Sequence, residues 1–112
     1  MSEMQTLQQR IAAQRAQRGF VTDPLKIHIL LTEEVGEVAK ELKRTWSKNY
    51  DDFNQSQLAD EIADVFVLLS ALASSFEIDI ASAVETKFFE KDADRTWNTA
   101  KTEAPTDSRS SH

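Results

Sequence analysis

The sequence predicts an all-α fold, and three observations favour it. Only two glycines and two prolines occur among the 112 residues. The helix-forming residues Ala, Leu, Glu, Gln and Lys dominate the composition. Apolar residues recur at the three- and four-residue spacing of an amphipathic helix. We therefore expect four helices packed as one small bundle.

The first two helices have clear start signals. Ser2 can cap the first helix, with Gln5 completing a capping box, and Arg18-Gly19 ends it. Asp23-Pro24 starts the second helix, because Asp caps a helix N-terminus and Pro suits the first helical position. The apolar spacing then carries this helix to about Trp46.

The third helix follows a polar connection and is the most hydrophobic of the four. The connection spans residues 47–54, Asn54 or Ser56 can cap the helix, and the apolar spacing carries it to about Phe76. Its apolar residues cover more than half of its circumference, which one small bundle cannot easily bury. We therefore expect a homodimer or a homotetramer, a dimer of dimers, to complete the bundle.

The chain closes with a fourth helix and a polar tail. Asp79 can cap a helix that runs from Ile80 to about Trp97. Residues 101–112 lack apolar anchors and are expected to be disordered. We therefore predict one domain over residues 1–100, followed by this tail.

Charge and composition argue against several classes of protein. The chain carries 13 basic and 19 acidic residues, and its net charge of −6 disfavours binding to nucleic acid or to an anionic membrane. The absence of cysteine excludes a disulfide framework and a thiolate metal site. We find no signal peptide and no apolar run long enough to span a bilayer, and we expect a cytoplasmic protein.

Two acidic clusters follow the apolar stripes of the second and third helices. At about 100° per residue, Glu34 and Glu37 lie along the edge of one stripe, and Glu61 and Asp64 lie within or beside the other. Antiparallel packing would bring the four carboxylates together. The predicted stripes are His28, Leu31, Val35, Val38 and Leu42 in the second helix, and Leu58, Ile62, Val65, Leu69 and Leu72 in the third.

Four converging carboxylates predict a cation site. Their repulsion and desolvation make the site costly without a cation. Because every candidate ligand atom is oxygen, the ion should be Mg²⁺, Mn²⁺ or Ca²⁺ rather than structural zinc. Mg²⁺ often binds a few carboxylates together with substrate phosphates, so the site favours a phosphate-bearing substrate.

These residues resemble a known enzyme family. The runs LLTEEVGEVAKEL at residues 30–42 and LADEIADV at residues 58–65 contain the pattern E-E-x-x-E followed by E-x-x-D. This combined pattern marks the MazG-like nucleoside triphosphate pyrophosphohydrolases, and the similarity runs from about Arg18 to Arg95. It implies an all-α, oligomeric, Mg²⁺-dependent enzyme that hydrolyses a nucleoside triphosphate to the monophosphate and pyrophosphate. Nucleotide-pool house-cleaning is a role compatible with it.

The resemblance also implies roles for the acidic residues. Glu34, Glu37, Glu61 and Asp64 would ligate the metal, with Mn²⁺ a possible substitute for Mg²⁺. Glu33 would ligate a further ion or orient the attacking water. Glu33 and Glu34 are therefore the candidate catalytic residues, and no protein nucleophile is required.

A basic segment is the candidate phosphate site. The family pattern K-N-x-x-R corresponds here to KDADR at residues 91–95. Lys91, Arg95 and, one turn earlier, Lys87 would contact the phosphates. Asp92 replaces the family's Asn, and its carboxylate would repel an anion unless a metal ion or a lysine intervenes.

Aromatic residues near predicted helix ends could form a slot for the nucleobase. Trp46 is the favoured candidate, ahead of Trp97 and Phe20. His28 is a further candidate for substrate contact, although its place on the apolar face suits a core histidine better.

Other interpretations stay open. A dUTPase-like or phosphoribosyl-ATP pyrophosphohydrolase-like enzyme would share the acidic helices. A di-iron carboxylate bundle would require Glu-x-x-His pairs, where this chain has Glu37 and Asp64. A non-catalytic helical oligomerisation module would use the acids for a structural cation or for none.

Overall fold

The computed structural model describes residues 2–96 and is helical, with no strand in that range. Residues 97–112 lie outside it, so the predictions for Trp97 and for the tail at 101–112 fall on residues that are not described. The elements in chain order are α1 (Glu3–Arg18), α2 (Pro24–Lys43), α3 (Gln55–Ser75), α4 (Ile80–Val84) and a π-helical segment (Glu85–Lys91). The prediction of an all-α fold is confirmed.

Local sequence sets the ends of the first helices. Ser2 and Gln5 form the predicted capping box: the Gln5 amide donates to the Ser2 hydroxyl at 3.1 Å, and the Ser2 amide donates to the Gln5 side chain at 2.9 Å. Gly19 ends α1 in the left-handed conformation with φ of 72°. Asp23 caps α2 by accepting a hydrogen bond from the Leu25 amide.

The next boundaries differ from the predicted ones by one to three residues. α2 ends at Lys43 rather than near Trp46, because the amides after it bond to carbonyls three residues back, which tightens the chain into turns. Asn54 caps α3 through its side-chain oxygen. Asp79 accepts a hydrogen bond from the Ala81 amide at 3.1 Å, as predicted for the cap of α4.

The predicted fourth helix is correct in its start and wrong in its length and type. Regular α-helix stops at Val84 and a π-helical segment follows. The Asp92 amide donates to the Lys87 carbonyl across five residues at 3.0 Å. Apolar spacing does not distinguish this wider turn from an α-helix, since side chains three and four residues apart still lie close together.

Backbone contacts divide the chain after residue 81 into two compact units, of which the structure describes residues 2–81 and 82–96. In the first unit, α3 packs along α2 and also contacts α1. Buried Gln8 ties α1 to the end of α3: its amide nitrogen donates to the Ser74 hydroxyl at 3.1 Å and to the Ile78 carbonyl at 2.8 Å, and its oxygen accepts from the Ile80 amide at 3.0 Å.

The face of α2 that packs on α3 is rotated from the predicted stripe. Ile27 and Glu41 are buried, whereas His28, Val35 and Leu42 are exposed. The expectation that His28 is a core residue is therefore wrong. Leu31 and Val38 of the predicted stripe are half-buried, as are Glu34 and Glu37, so the buried face of α2 lies between its apolar stripe and its acidic residues.

Apolar side chains of α3 are also uncovered. Ile62 and Leu69, from the predicted stripe, and Phe76, just beyond the helix, are 52%, 43% and 62% exposed. Among the described apolar residues only Ile27 and Ala71 are buried. The single chain therefore has very little hydrophobic core. No single helix within residues 2–96 is long and apolar enough to cross a membrane.

Candidate functional site

An open cavity of about 1510 Å³ lies in the first unit, between α1, α2 and α3. Its walls combine three kinds of residue. One part is apolar, one is acidic and one is basic. The lining residues are Leu7, Arg10, Ile11, Ala13, Gln14, Arg15, Arg18, Phe20, Val21, Leu30, Glu33, Glu34, Gly36, Glu37, Lys40, Lys43, Tyr50, Glu61, Asp64, Val67 and Leu68.

Three carboxylates meet in the acidic part of the wall. One side-chain oxygen from each of Glu34, Glu61 and Asp64 lies within 4.8 Å of the others. Glu34 comes from α2 and the other two residues come from α3, so the packing of these helices creates the cluster. Glu34 and Glu61 are half-buried, whereas Asp64 is exposed.

Partial burial and neighbouring negative charges change the ionisation of two of these groups. Desolvation raises the pKa of Glu34 above its ordinary value, and the nearby Asp64, Glu37 and Glu33 raise it further. Desolvation also raises the pKa of Glu61, followed by repulsion from Glu34, Asp64 and two other acids of α2. Both carboxyls would therefore gain from a proton or a metal cation in the cluster.

The other two predicted acids line the same cavity but stand beside the cluster. Glu37 is half-buried and Glu33 is exposed. Glu37 is not one of the three carboxylates within 4.8 Å, although its charge raises the pKa of both Glu34 and Glu61. The structure thus brings three of the four predicted ligands together and places the fourth next to them.

Sequence reasoning missed Glu41, which lies on the same side of α2 as Glu34 and Glu37. It is 6% exposed, and the Arg44 Nε donates to its carboxylate at 3.0 Å. This ion pair compensates the buried charge of Glu41, which still contributes to the raised pKa of Glu61. Glu41 follows Glu34 by seven residues, or about two helical turns, and this spacing could have predicted that the two residues lie on the same side of α2.

The basic residues of the cavity were also missed. Arg10 and Arg18 come from α1, and Lys40 and Lys43 come from the second half of α2. Arg15 has a structural role, since its guanidinium donates to the Val21 carbonyl at 2.9 Å. No sequence motif marks these cations, because their approach depends on how α1 and α2 pack around the cavity.

The predicted phosphate contacts belong to the second unit. The Lys87 ammonium lies 2.6 Å from the Asp92 carboxylate, and the Arg95 guanidinium lies 3.6 Å from the same oxygen. Lys91 is exposed at the end of the π-helical segment. Asp92, the residue that departs from the family pattern, thus forms ion pairs with two of the three predicted cations.

The predicted nucleobase contacts have different surroundings. Trp46 is 73% exposed in the turn after α2, and neither it nor His28 lines the cavity. Phe20 does line it. The guanidinium carbon of Arg15 lies 5.0 Å from the centroid of the Phe20 ring, a cation–π contact that fixes the ring at the end of α1.

One protein-family model matches most of the chain: the MazG nucleotide pyrophosphohydrolase domain covers residues 23–98. No curated protein and no solved structure shows a significant match to the chain. The matched range includes α2, α3 and every acidic residue of the cavity, whereas α1 lies before it. The chain therefore belongs to the MazG nucleotide pyrophosphohydrolase family.

Proposed function

We propose that the chain is a Mg²⁺-dependent nucleoside triphosphate pyrophosphohydrolase that produces a monophosphate and pyrophosphate. The observation that carries the proposal is the approach of Glu34, Glu61 and Asp64 within 4.8 Å in the wall of an open cavity. Family membership supports the same reaction class. The proposed role is the removal of unwanted nucleotides from the cellular pool.

The donor set fits a hard divalent cation. Three carboxylate oxygens suit Mg²⁺, with Mn²⁺ as a substitute. When bound, such an ion lowers the pKa of a coordinated water and neutralises phosphate charge. We assign ligation to Glu34, Glu61 and Asp64, a fourth ligand position to Glu37, and orientation of the attacking water to Glu33.

The apolar part of the cavity suits the nucleoside. Phe20, Leu30 and Val67 line it, and nucleotide sites combine such walls with a few polar groups. Phe20 is therefore a better candidate for base stacking than Trp46, which does not line the cavity in a single chain.

A second copy of the chain completes the proposed enzyme. His28, Val35 and Leu42 repeat every seven residues on α2, and Ile62, Leu69 and Phe76 repeat in the same way along α3 and its end. All six are exposed. Such a spacing is typical of helices that pack against other helices. The cavity also exceeds the roughly 300–1,000 Å³ of a usual small-molecule site, which leaves room for elements of the partner.

The test measures pyrophosphate release from a panel of canonical and modified nucleoside triphosphates, with Mg²⁺, with Mn²⁺ and with EDTA. Glu61→Gln removes one carboxylate of the cluster and keeps the side-chain shape. Asp60→Asn is the matched control, because Asp60 is the adjacent exposed acid of α3 and does not line the cavity.

We expect metal-dependent release of pyrophosphate that falls at least about 100-fold in Glu61→Gln and is unchanged in Asp60→Asn, since a metal ligand contributes several kcal/mol to catalysis. Orthophosphate as the only product would favour a different phosphohydrolase. A folded protein that turns over no triphosphate with either ion would favour a non-catalytic oligomerisation module.

A further inference from the structure

One strip of α2 lines the cavity with negative charge followed by positive charge. Glu33, Glu37, Lys40 and Lys43 are spaced three or four residues apart, and all face the cavity. At 1.5 Å per residue, the two lysines lie about 4.5 and 9 Å further along the helix axis than Glu37. Flexible lysine side chains can cover the remaining distance to a ligand held at the acids.

The two lysines are not neutralised by neighbouring acids. Within residues 2–96, neither Lys40 nor Lys43 forms a salt bridge, whereas the adjacent Arg44 is held by buried Glu41 at 3.0 Å. Both lysines therefore present their full charge to the cavity. The cavity thus has a basic part, with the two lysines, and an acidic part, with the carboxylates. An extended anion that carries a metal ion at one end would fit both, because its metal ion would meet the carboxylates and its free end would meet the lysines.

Tyr50 holds the position of Lys43 at the basic end. The ammonium nitrogen of Lys43 lies 4.9 Å from the centroid of the Tyr50 ring, and the guanidinium carbon of Arg44 lies 5.8 Å from it. Tyr50 lines the same cavity. Its pKa is lowered, mainly by a hydrogen bond from Lys43 and by the charge of that lysine. The positive charges of Lys40, Lys43 and Arg44, which lower the pKa of Tyr50, would also attract an anionic ligand to this part of the cavity.

Gly36 keeps the acidic part of the strip open, between Glu33 and Glu37. It lies one turn after Glu33 and one turn before Lys40, and a Cβ added to it would meet nothing within 4 Å. A glycine inside a helix costs about 1 kcal/mol relative to alanine, and no packing contact within residues 2–96 requires it. The absence of a side chain there lets a ligand approach the helix beside the acids, one turn before the first lysine.

We propose that Lys40, Lys43 and Tyr50 bind the two distal phosphates of the triphosphate, which leave as pyrophosphate, at the end of the cavity opposite the nucleoside. This inference rests on the proposed function, because it assigns the distal end of the same substrate. It differs from the sequence-based expectation, which placed the phosphate contacts at Lys87, Lys91 and Arg95.

The experiment compares Lys40→Gln, Lys43→Gln and Tyr50→Phe with the wild-type chain. Lys26→Gln is the control for the loss of one charge, since Lys26 is an exposed residue of α2 that does not line the cavity. Circular dichroism checks folding. Calorimetry measures the binding of inorganic pyrophosphate and of a nucleoside monophosphate in the presence of Mg²⁺, and steady-state kinetics measures KM for the triphosphate.

We expect each lysine variant to weaken pyrophosphate binding about tenfold or more, the loss typical of a hydrogen bond to a charged group. Tyr50→Phe, which keeps the ring, should weaken it less. Binding of the monophosphate should not change, because the monophosphate lacks the distal phosphates. The KM for the triphosphate should rise in parallel with the loss of pyrophosphate affinity.

Two results would overturn the inference. One is pyrophosphate affinity in the lysine variants equal to that in Lys26→Gln. The other is an equal loss of affinity for monophosphate and pyrophosphate, which would indicate a general effect of charge. Failure of the proposed function gives a different result. In that case the wild-type chain releases no pyrophosphate from any triphosphate, and this outcome does not depend on what the lysine variants bind.

Discussion

At the residue scale, the ionisation of Glu34 and Glu61 links the acidic cluster to stability. Both carboxyls have a pKa above the ordinary 4.5, first because they are partly desolvated and then because other acids surround them. A raised pKa means that the folded chain binds protons more tightly than the unfolded chain. The metal-free fold is therefore favoured by these groups at low pH and loses that advantage as the pH rises above about 4.5.

Glu61→Gln tests this linkage. In metal-free protein, the free energy of unfolding of the variant relative to the wild type should increase as the pH rises from 4.5 towards 7, because the wild type ionises both Glu34 and Glu61 whereas the variant ionises Glu34 alone. Urea denaturation in EDTA at several pH values measures it. Adding Mg²⁺ at pH 7 should stabilise the wild type more than the variant. A difference between the two proteins that is independent of pH would contradict the prediction.

Asp92 is the second residue with a testable effect. Its carboxylate pairs with Lys87 at 2.6 Å and with Arg95 at 3.6 Å, so it competes with a phosphate for two of the predicted phosphate ligands. Asp92→Asn restores the residue of the family pattern and removes this competition. We expect the KM for the triphosphate to stay unchanged, because the proposed phosphate contacts are Lys40, Lys43 and Tyr50 of the cavity; a KM several-fold lower would return the phosphate contacts to Lys87 and Arg95. Asp94→Asn, at a neighbouring exposed position, is the control. Equal KM values in the two variants would show that Lys87 and Arg95 do not bind substrate.

At the scale of the element, α3 carries a buried hydroxyl that contributes little to stability. Ser70 is 0% exposed, and its oxygen has no hydrogen-bond partner within residues 2–96. Ser74, one turn later, accepts a hydrogen bond from buried Gln8 at 3.1 Å. Replacing each of these two serines by alanine is therefore expected to change the stability of the fold in opposite directions.

Ser70→Ala should stabilise the fold by about 0.5–1 kcal/mol, because it removes an unsatisfied polar group and alanine favours helix. Ser74→Ala should destabilise it by about 1 kcal/mol, because it leaves a donor of Gln8 without that partner. Thermal and urea denaturation of the two variants measure the difference. Destabilisation by Ser70→Ala would show that its hydroxyl is paired in the complete protein.

For the molecule as a whole, the exposed apolar stripes of α2 and α3 favour the proposed assembly with a second copy. Leu69→Lys should dissociate the proposed oligomer, because it places a charge in the row formed by Ile62, Leu69 and Phe76. Asp60→Lys is the control, since Asp60 lies on the opposite side of α3 at 100° per residue. Sedimentation equilibrium of both variants measures the mass. A wild-type chain that remains monomeric and folded at all concentrations would refute the proposed assembly.

Local sequence patterns were enough to predict where the helices start and where the acidic residues lie on α2 and α3. The capping residues Ser2, Asp23, Asn54 and Asp79 act through hydrogen bonds to amides two or three residues away, so their effect can be predicted from local spacing. The positions of Glu34, Glu61 and Asp64 on their helices follow from the same regular spacing. The E-E-x-x-E and E-x-x-D pattern also identified the family that the domain match confirms.

Which faces of those helices meet depends on how the helices pack. Their packing buries the face of α2 between its apolar stripe and its acidic residues, leaves Val35 and Leu42 exposed, and brings Arg18 and Lys43 to one cavity. These features depend on the rotation and approach of whole helices, which many small packing and desolvation terms determine together. A pattern of local spacing fixes where a residue lies on its own helix, but the contacts of that residue are fixed only by the packing of the complete bundle.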